Sequence, residues 1–500
     1  MAARLVVGGA SEGVDAVAYL VERDGLQAVR ERVPEAAAVV DAGDFEARLE
    51  QAVLLYRGGS PARVLLVGAG EGGEWFGEAE RLRVATATAV KEAKRLKRVT
   101  SLGIVVPEKL LEAAAREGRG EEWALEQALV AADMANYVYS LKSRDKPHAL
   151  GEIRVSPVPG GVEPGRVAEA AEAIAEGVRV ARDIANAPPS RMNPEKVEET
   201  ARSLAERLGL RIRVFHRGEL ESLGMGGILA VGRGSSVEPR LIVLESDGGG
   251  PTYAVVGKTV TFDSGGLDLK PPQYMLEMKY DKGGGAAAIG AVVAAARLRL
   301  PVKLVALIPA VENMPSGSSY KPLDVLEMYN GLRVEVGNTD AEGRLIMADA
   351  LAYAAEKYKP KALIDLATLT GAAVIALGNH AAALMGNNEE LLARVEKAAW
   401  RAGEPAWRLP MWPVYGKQLE SKVADVNNVG GRPAGAITAA KFLEHFVGET
   451  AWAHLDIAGV AWVQEKGPWK PYYSQGGATG WGVRTLIELL REETQTRREG

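Results

Sequence analysis

Apolar residues along the chain fall into two alternating patterns: short strand-like runs and longer stripes of helical period. Over residues 1–162, strand-like runs at Arg4–Val7, Val64–Val67 and Leu102–Val106 alternate with helical stretches at Glu78–Leu96 and Glu121–Ser140. Such alternation predicts an α/β unit built on a largely parallel sheet. The run Ser156-Pro157-Val158-Pro159-Gly160-Gly161 breaks the pattern. Beyond it, Val167, Ala171, Ile174, Val178 and Ala181 form an i, i+4, i+7, i+11 stripe, which predicts one amphipathic connecting helix over 163–188. It ends before Pro188-Pro189, because a residue preceding proline avoids helical angles.

From residue 189 to 500 the alternation resumes. Strands are expected at Leu241–Leu244, Tyr253–Val256, Val302–Ile308, Val334–Val336, Ala362–Leu366 and Trp452–Ile457, with a helix over Leu345–Lys357. The closing run Arg491–Gly500 is densely charged and reads as a solvated, frayed end. The expected organisation is therefore an N-terminal α/β domain over 1–162, the connecting helix, and a larger α/β domain over 189–500.

Composition narrows the function classes. Hydrophobic residues are 47% and charged residues 25%, the balance of a soluble globular protein. A net charge of −5 gives no sign of a nucleic-acid partner. The most apolar stretch, Gly283–Ala296, is too short and small-sided to span a bilayer, and the N-terminus lacks signal-peptide features. A cytoplasmic location is the expectation. The absence of cysteine removes disulfide scaffolds, thiolate metal sites and cysteine nucleophiles together.

Two familiar patterns in the first domain carry little weight. Gly68-x-Gly70-x-x-Gly73 follows a strand, but with 57 glycines in the chain about 0.7 such matches arise by chance. The acidic partner expected about 20 residues further on is also missing. Gly9-Ala10-Ser11-Glu12-Gly13 has nucleophile-elbow spacing, yet none of the five histidines lies in a triad context.

Three stretches between 253 and 371 carry chemistry. Lys258, Asp263 and Lys270 follow a β-branched run in a Gly-rich loop; Asp281 opens a Gly/Ala-rich helix; Asn338-Thr339-Asp340-Ala341-Glu342-Gly343-Arg344 precedes the next helix. All sit at strand ends or helix starts, where loops line the crevice of an open α/β sheet. Asp340 and Glu342, two apart, point to one side if the backbone is extended. Four carboxylates brought together repel unless a cation neutralises them, which is the physical reason to expect metal. The abundant glycine suggests backbone that a ligand approaches closely.

These stretches, VGKTVTFDSGGLDLKPP, MKYDKGGGAAAIG and NTDAEGRL, resemble the metal-binding and catalytic motifs of the leucine aminopeptidase family, two-metal hexameric exopeptidases of the cytosol. The likeness continues through Glu312–Gly317, Asp365–Gly371, Ala424–Ala440 and Trp452–Gly459 and covers residues 180–490. The resemblance implies that Lys258, Asp263, Asp281 and Glu342 hold one metal, that Asp263, Asp340 and Glu342 hold the other, and that Lys270 and Arg344 are catalytic. It implies bicarbonate at Arg344 as a proton shuttle, and substrate contacts at Met278, Asn338, Thr368, Leu369, Gly371, Ala458 and Ala461. It also implies a homohexamer acting on peptides with a free N-terminus, leucine and other bulky apolar residues preferred. The chain departs from the family at Lys282, where an apolar residue is usual, and at Lys321-Pro322-Leu323, where Pro-Gly is common.

An oxygen-rich ligand set with one amine suits Mn²⁺ or Zn²⁺, with Mg²⁺ also compatible. Two such ions can share and acidify one water for peptide hydrolysis. The competing readings are a metal-dependent phosphoryl hydrolase, which lacks a phosphate cradle tied to the carboxylates, and a non-catalytic binding protein of the same fold.

Overall fold

The computed structural model describes residues 2–72, 77–96, 98–145, 147–464, 470–473 and 477–499, with side chains through Glu493. Two compact units divide the chain. The first runs to Ala175 and regains a short return segment that includes Lys470 and Tyr472; the second holds the remainder.

The first unit is built on six strands: β1 (Arg4–Val7), β2 (Ala16–Glu22), β3 (Ala52–Tyr56), β4 (Arg63–Gly70), β5 (Ser101–Val105) and β6 (Glu152–Ser156). Their order is β1-β6-β5-β2-β4-β3, parallel except for β3 against β4. The largely parallel sheet matches the alternation in the sequence. Its strand β2, Ala-Val-Ala-Tyr-Leu-Val-Glu, has no polar alternation because every residue but the last is buried, as a central parallel strand requires. The return segment is held by Glu80, which pairs with Lys470 at 3.1 Å and accepts from the Tyr472 hydroxyl at 2.5 Å.

The predicted connecting helix spans Pro164–Asn186, and all five residues of its stripe are buried. Pro164 opens it, where proline's missing N–H costs nothing.

The second unit carries β7 (Arg211–Phe215), β8 (Arg240–Asp247), β9 (Thr252–Gly257), β10 (Thr259–Asp263), β11 (Lys303–Asn313), β12 (Val325–Glu327), β13 (Arg333–Glu335), β14 (Ala362–Ala367), β15 (Ala382–Gly386), β16 (Ala406–Arg408), β17 (Val426–Asn427) and β18 (Trp452–Asp456). The main sheet is mixed, ordered β16-β15-β18-β14-β9-β11-β8-β7, with β10 added beside β11. Strands β18, β14, β9 and β11 are mutually parallel, so their carboxyl ends share one edge. Helices Gly283–Arg297 and Gly343–Tyr358 pack on this sheet and are buried almost throughout.

Two expectations need correction. The segment after Gly257 is not all loop: Thr259–Asp263 forms a strand parallel to β11, with a register shift between Val260 and Phe262. The charged C-terminal run, expected to be a frayed end, is helical as far as Glu499. At its start, Glu492 and Glu493 pair with Arg394, and Glu493 also with Lys361.

Candidate metal centre

The shared carboxyl edge of the parallel strands places the motif residues. Lys258 follows β9, Asp263 ends β10, Thr368–Gly371 follow β14, and Ala458 and Ala461 follow β18. Asp281 closes the turn Met278–Tyr280 just before the helix Gly283–Arg297. Glu342 is the N-cap of the helix Gly343–Tyr358, in helical backbone (φ −78°, ψ −36°). Extended backbone is therefore not what brings Asp340 and Glu342 together: Asp340 sits in a turn whose amide donates to Asn338 Oδ1 at 2.7 Å.

Carboxylate oxygens of Asp263, Asp340 and Glu342 lie within 4.8 Å of one another. Asp281 joins them through Lys258, whose buried Nζ stands 2.7 Å from Asp281 Oδ1, 2.9 Å from Glu342 Oε1 and 2.8 Å from the Thr368 carbonyl. Lys270 Nζ sits 2.7 Å from Asp263 Oδ2 and also pairs with Asp340. The two lysines thus bracket four acids in a buried space. Burial holds Asp263 and Asp281 above the usual carboxylate range. Asp340 is pushed up to about 7 by burial and by the charges of Glu342 and Asp263. Glu342 is held low by Lys258 and Lys270, although burial opposes them. Burial also opposes the charge of Lys258, yet Asp281, Glu342 and Asp263 hold it above the usual lysine range, so ligation through its amine requires loss of that proton.

The donor set fits divalent cations. Asp281 Oδ2 is buried with no hydrogen-bond partner, while its Oδ1 accepts from Lys258 and from Thr368 Oγ1 at 2.7 Å each. Asp340 Oδ1 and Glu342 Oε1 are likewise buried without a hydrogen bond: their lysines lie at ion-pair distance but off the bonding direction. Buried carboxylate oxygens left without a hydrogen bond are costly, and three of them on neighbouring acids are what a hard cation would coordinate.

The glycines answer the fold before any ligand. A Cβ at Gly343 would stand 2.3 Å from Lys258 Cε, and one at Gly284 would stand 2.0 Å from the Leu366 carbonyl. Their absence lets Lys258 cross the helix start. In the first unit, a Cβ at Gly68 would meet the Arg48 carbonyl at 1.9 Å, so Gly68 serves chain packing; Gly70 has a φ of +70°, and Gly73 lies outside the described residues. Ser11 is exposed in the loop after β1, and no histidine bonds to it among the described residues.

Arg344 is buried; burial pushes it down to about 10, and its Nη1 donates to the Asn428 carbonyl at 2.8 Å while Nε has no partner. Of the expected substrate contacts, Thr368 and Ala461 lie together, both beside Gly283. Ala458 is buried, Met278, Asn338 and Leu369 are half-buried, and Gly371 is exposed at the first turn of the helix Gly371–Leu377. Lys282 does not turn towards Asp281: its fully buried Nζ donates to the carbonyls of Ala187, at 3.1 Å, and Lys279.

Three residues escaped sequence reasoning. Asn313, opposite Asp263 in the β10–β11 register, donates to Asp263 Oδ1 at 2.9 Å and to the Thr339 carbonyl at 3.0 Å. Asn428 ties Gly337, Asn338 and Ala341 to Arg344. Asp456 accepts from the Leu369 amide at 3.1 Å and from Thr370 Oγ1 at 2.7 Å. Each stood inside one of the family-like motifs, but strand register reveals the partner of Asn313 and loop packing those of Asn428 and Asp456.

Comparison with known proteins agrees with this geometry. Residues 179–487 match the model of the cytosol aminopeptidase family catalytic domain, and residues 21–145 that of its N-terminal domain. A probable cytosol aminopeptidase of Roseiflexus castenholzii is 44% identical over 91% of this chain and 93% of its own. One from Geobacter sp. strain M21 is 45% identical over 86% of each. Among solved structures, a bottromycin maturation enzyme in complex with Mn superposes with TM-score 0.84 at 34% identity, covering 96% of this chain and all of its own. A mutant tomato leucine aminopeptidase gives 0.85 at 29%, covering 98% and 96%. The chain belongs to the cytosol aminopeptidase family.

Proposed function

We propose that this chain is a two-metal aminopeptidase that hydrolyses the N-terminal residue from peptides, with leucine and other bulky apolar residues preferred. The observation that carries the reading is the convergence of Asp263, Asp340 and Glu342 oxygens within 4.8 Å, in a chain of this family. Lys258, Asp263, Asp281 and Glu342 would hold one divalent ion, and Asp263, Asp340 and Glu342 the other. When bound, Mn²⁺ or Zn²⁺ supplies Lewis acidity and an acidified water for the attack on the peptide carbonyl.

The chain's own residues do the rest. Lys270, an ammonium between Asp263 and Asp340, is placed to stabilise oxygen charge that develops in the transition state. Arg344 stays cationic at neutral pH and is suited to holding bicarbonate, its Nε being free for a further acceptor. Asp456 fixes the main chain at Leu369, which would contact substrate. Met278, Asn338, Thr368, Gly371, Ala458 and Ala461 would border the first residue, whose apolar side chain suits the two alanines. The 189–500 domain would then be catalytic, with the 1–162 domain and the 163–188 helix preceding it. A cytoplasmic homohexamer is the assembly we propose; the location is supported by the word cytosol in the names of the relatives, and the hexamer is what the family resemblance implies.

The test is release of p-nitroaniline from Leu-p-nitroanilide by metal-stripped protein, with Mn²⁺ or Zn²⁺ added back. Cleavage restored by metal, and absent with N-acetyl-Leu-p-nitroanilide, is the expected result. Equal cleavage of the blocked substrate would overturn the requirement for a free N-terminus.

A further inference from the structure

The first unit contains a cavity of about 610 Å³ that the aminopeptidase reading does not use. It opens at the carboxyl ends of β2, β5 and β6, three adjacent parallel strands. From β2 the chain passes to β3, at the sheet edge beyond β4 on one side; from β5 it passes to β6 on the other. The loops therefore part between β2 and β5, and such parting points are where open α/β sheets take ligands.

The walls combine an apolar surface with unpaired cationic character. Val29, Val105 and Pro107 supply the apolar side. Tyr19 lines the cavity at 6% exposure, and its hydroxyl has no hydrogen-bond partner among the described residues. The Arg32 guanidinium stands 5.3 Å from the centre of the Tyr19 ring and pairs with no carboxylate among the described residues. The helix Glu108–Glu117 starts at the cavity with Pro107 as its N-cap, which offers no side-chain cap. Its first amides point outward with the positive end of the helix dipole.

Of the acidic groups on the lining, Glu22 is paired with Arg81 at 3.1 Å and Asp24 with Lys109 at 2.7 Å. Glu108 is left as the opposing charge. A ligand that satisfies Tyr19, Arg32 and the open helix start needs an apolar or aromatic body carrying a carboxylate or phosphate.

We propose that this cavity is a binding site for small organic anions of that kind, separate from the metal centre. Both anionic groups share the chemistry that Arg32 and the helix start recognise, and the two probes separate them.

Isothermal titration calorimetry on the full chain with phenyl phosphate and with phenylacetate tests the site, with phenethylamine as the cationic control. Wild type should bind at least one anion and not the amine, the stronger anion identifying the preferred headgroup. Arg32→Ala should weaken binding about tenfold, the loss expected for one charge-assisted contact. Glu108→Gln should tighten it, a gain that no folding defect produces. Asp340→Ala should bind as wild type does, and Arg32→Ala should keep its cleavage of Leu-p-nitroanilide. Absence of binding by both anions, equal affinity in Arg32→Ala, equal binding of phenethylamine, or loss of binding in Asp340→Ala would each overturn the proposal.

Discussion

Lys270 carries two contacts that a metal ligand does not need: its ammonium spans Asp263 and Asp340 from outside the carboxylate cluster. Replacing it by methionine should lower kcat about 10²- to 10³-fold, the usual cost of removing one preorganised donor to a developing oxyanion. Bound metal, measured by elemental analysis, should stay near the wild-type level, and Lys270→Arg should recover part of the rate. Leu323 offers a different residue-scale test. It stands where the family resemblance implies glycine, with φ +73° and 75% exposure. The Cβ of an L-residue strains that backbone by about 1–2 kcal/mol, so Leu323→Gly should raise stability by about 1 kcal/mol in denaturant unfolding. The acids and lysines were legible in the sequence because charge beside glycine at a strand end is chemically unusual. Asn313, Asn428 and Asp456 were not, because a neutral amide or a strand-end aspartate gains its meaning from the group opposite it.

Elements place these residues through register. Asp365 on β14 and His454 on β18 are cross-strand partners, and His454 Nδ1 lies 2.6 Å from Asp365 Oδ1 in a fully buried pair. Burial opposes a charged imidazole there, but Asp365 holds His454 above the usual histidine range. A proton bound more tightly in the folded than in the unfolded chain stabilises the fold fully below about pH 6.5 and is lost as pH rises through the higher folded value. Wild-type Tm should therefore fall over that window, and His454→Asn should start lower and fall less. The helix Gly343–Tyr358 imposes a steric condition instead. Gly343→Ala would push a methyl onto Lys258 and should destabilise by about 1–3 kcal/mol, with weakened Mn²⁺ binding. Strong runs such as Leu241–Leu244 and Ala362–Leu366 announced their strands. Thr259–Asp263 did not, because a five-residue strand after Gly257 and Lys258 looks like loop until β11 supplies its partner. Strand β15 was hidden in the same way: Ala382–Gly386 is buried from end to end but offers no β-branched side chain.

At the scale of the whole molecule, two α/β units and the long helix between their strand sets follow from patterning alone, since a buried stripe and alternating periods need no tertiary detail. The return of Lys470 and Tyr472 to Glu80 in the first unit does not, because a contact across nearly 400 residues leaves no periodic trace. The proposed hexamer belongs to this scale too. Sedimentation equilibrium should give a mass near six 53.1 kDa chains, and a monomer at micromolar concentration would contradict it. The central claim is that the buried carboxylates hold two divalent ions on which hydrolysis depends. Titrating metal-stripped protein with Mn²⁺, while reading bound metal and Leu-p-nitroanilide cleavage in the same samples, tests it most directly. The prediction is two ions per chain, activity that rises with their binding, and loss of both one ion and the activity in Asp340→Ala. Full activity in stripped protein, or an Asp340→Ala variant as active as wild type, would contradict it.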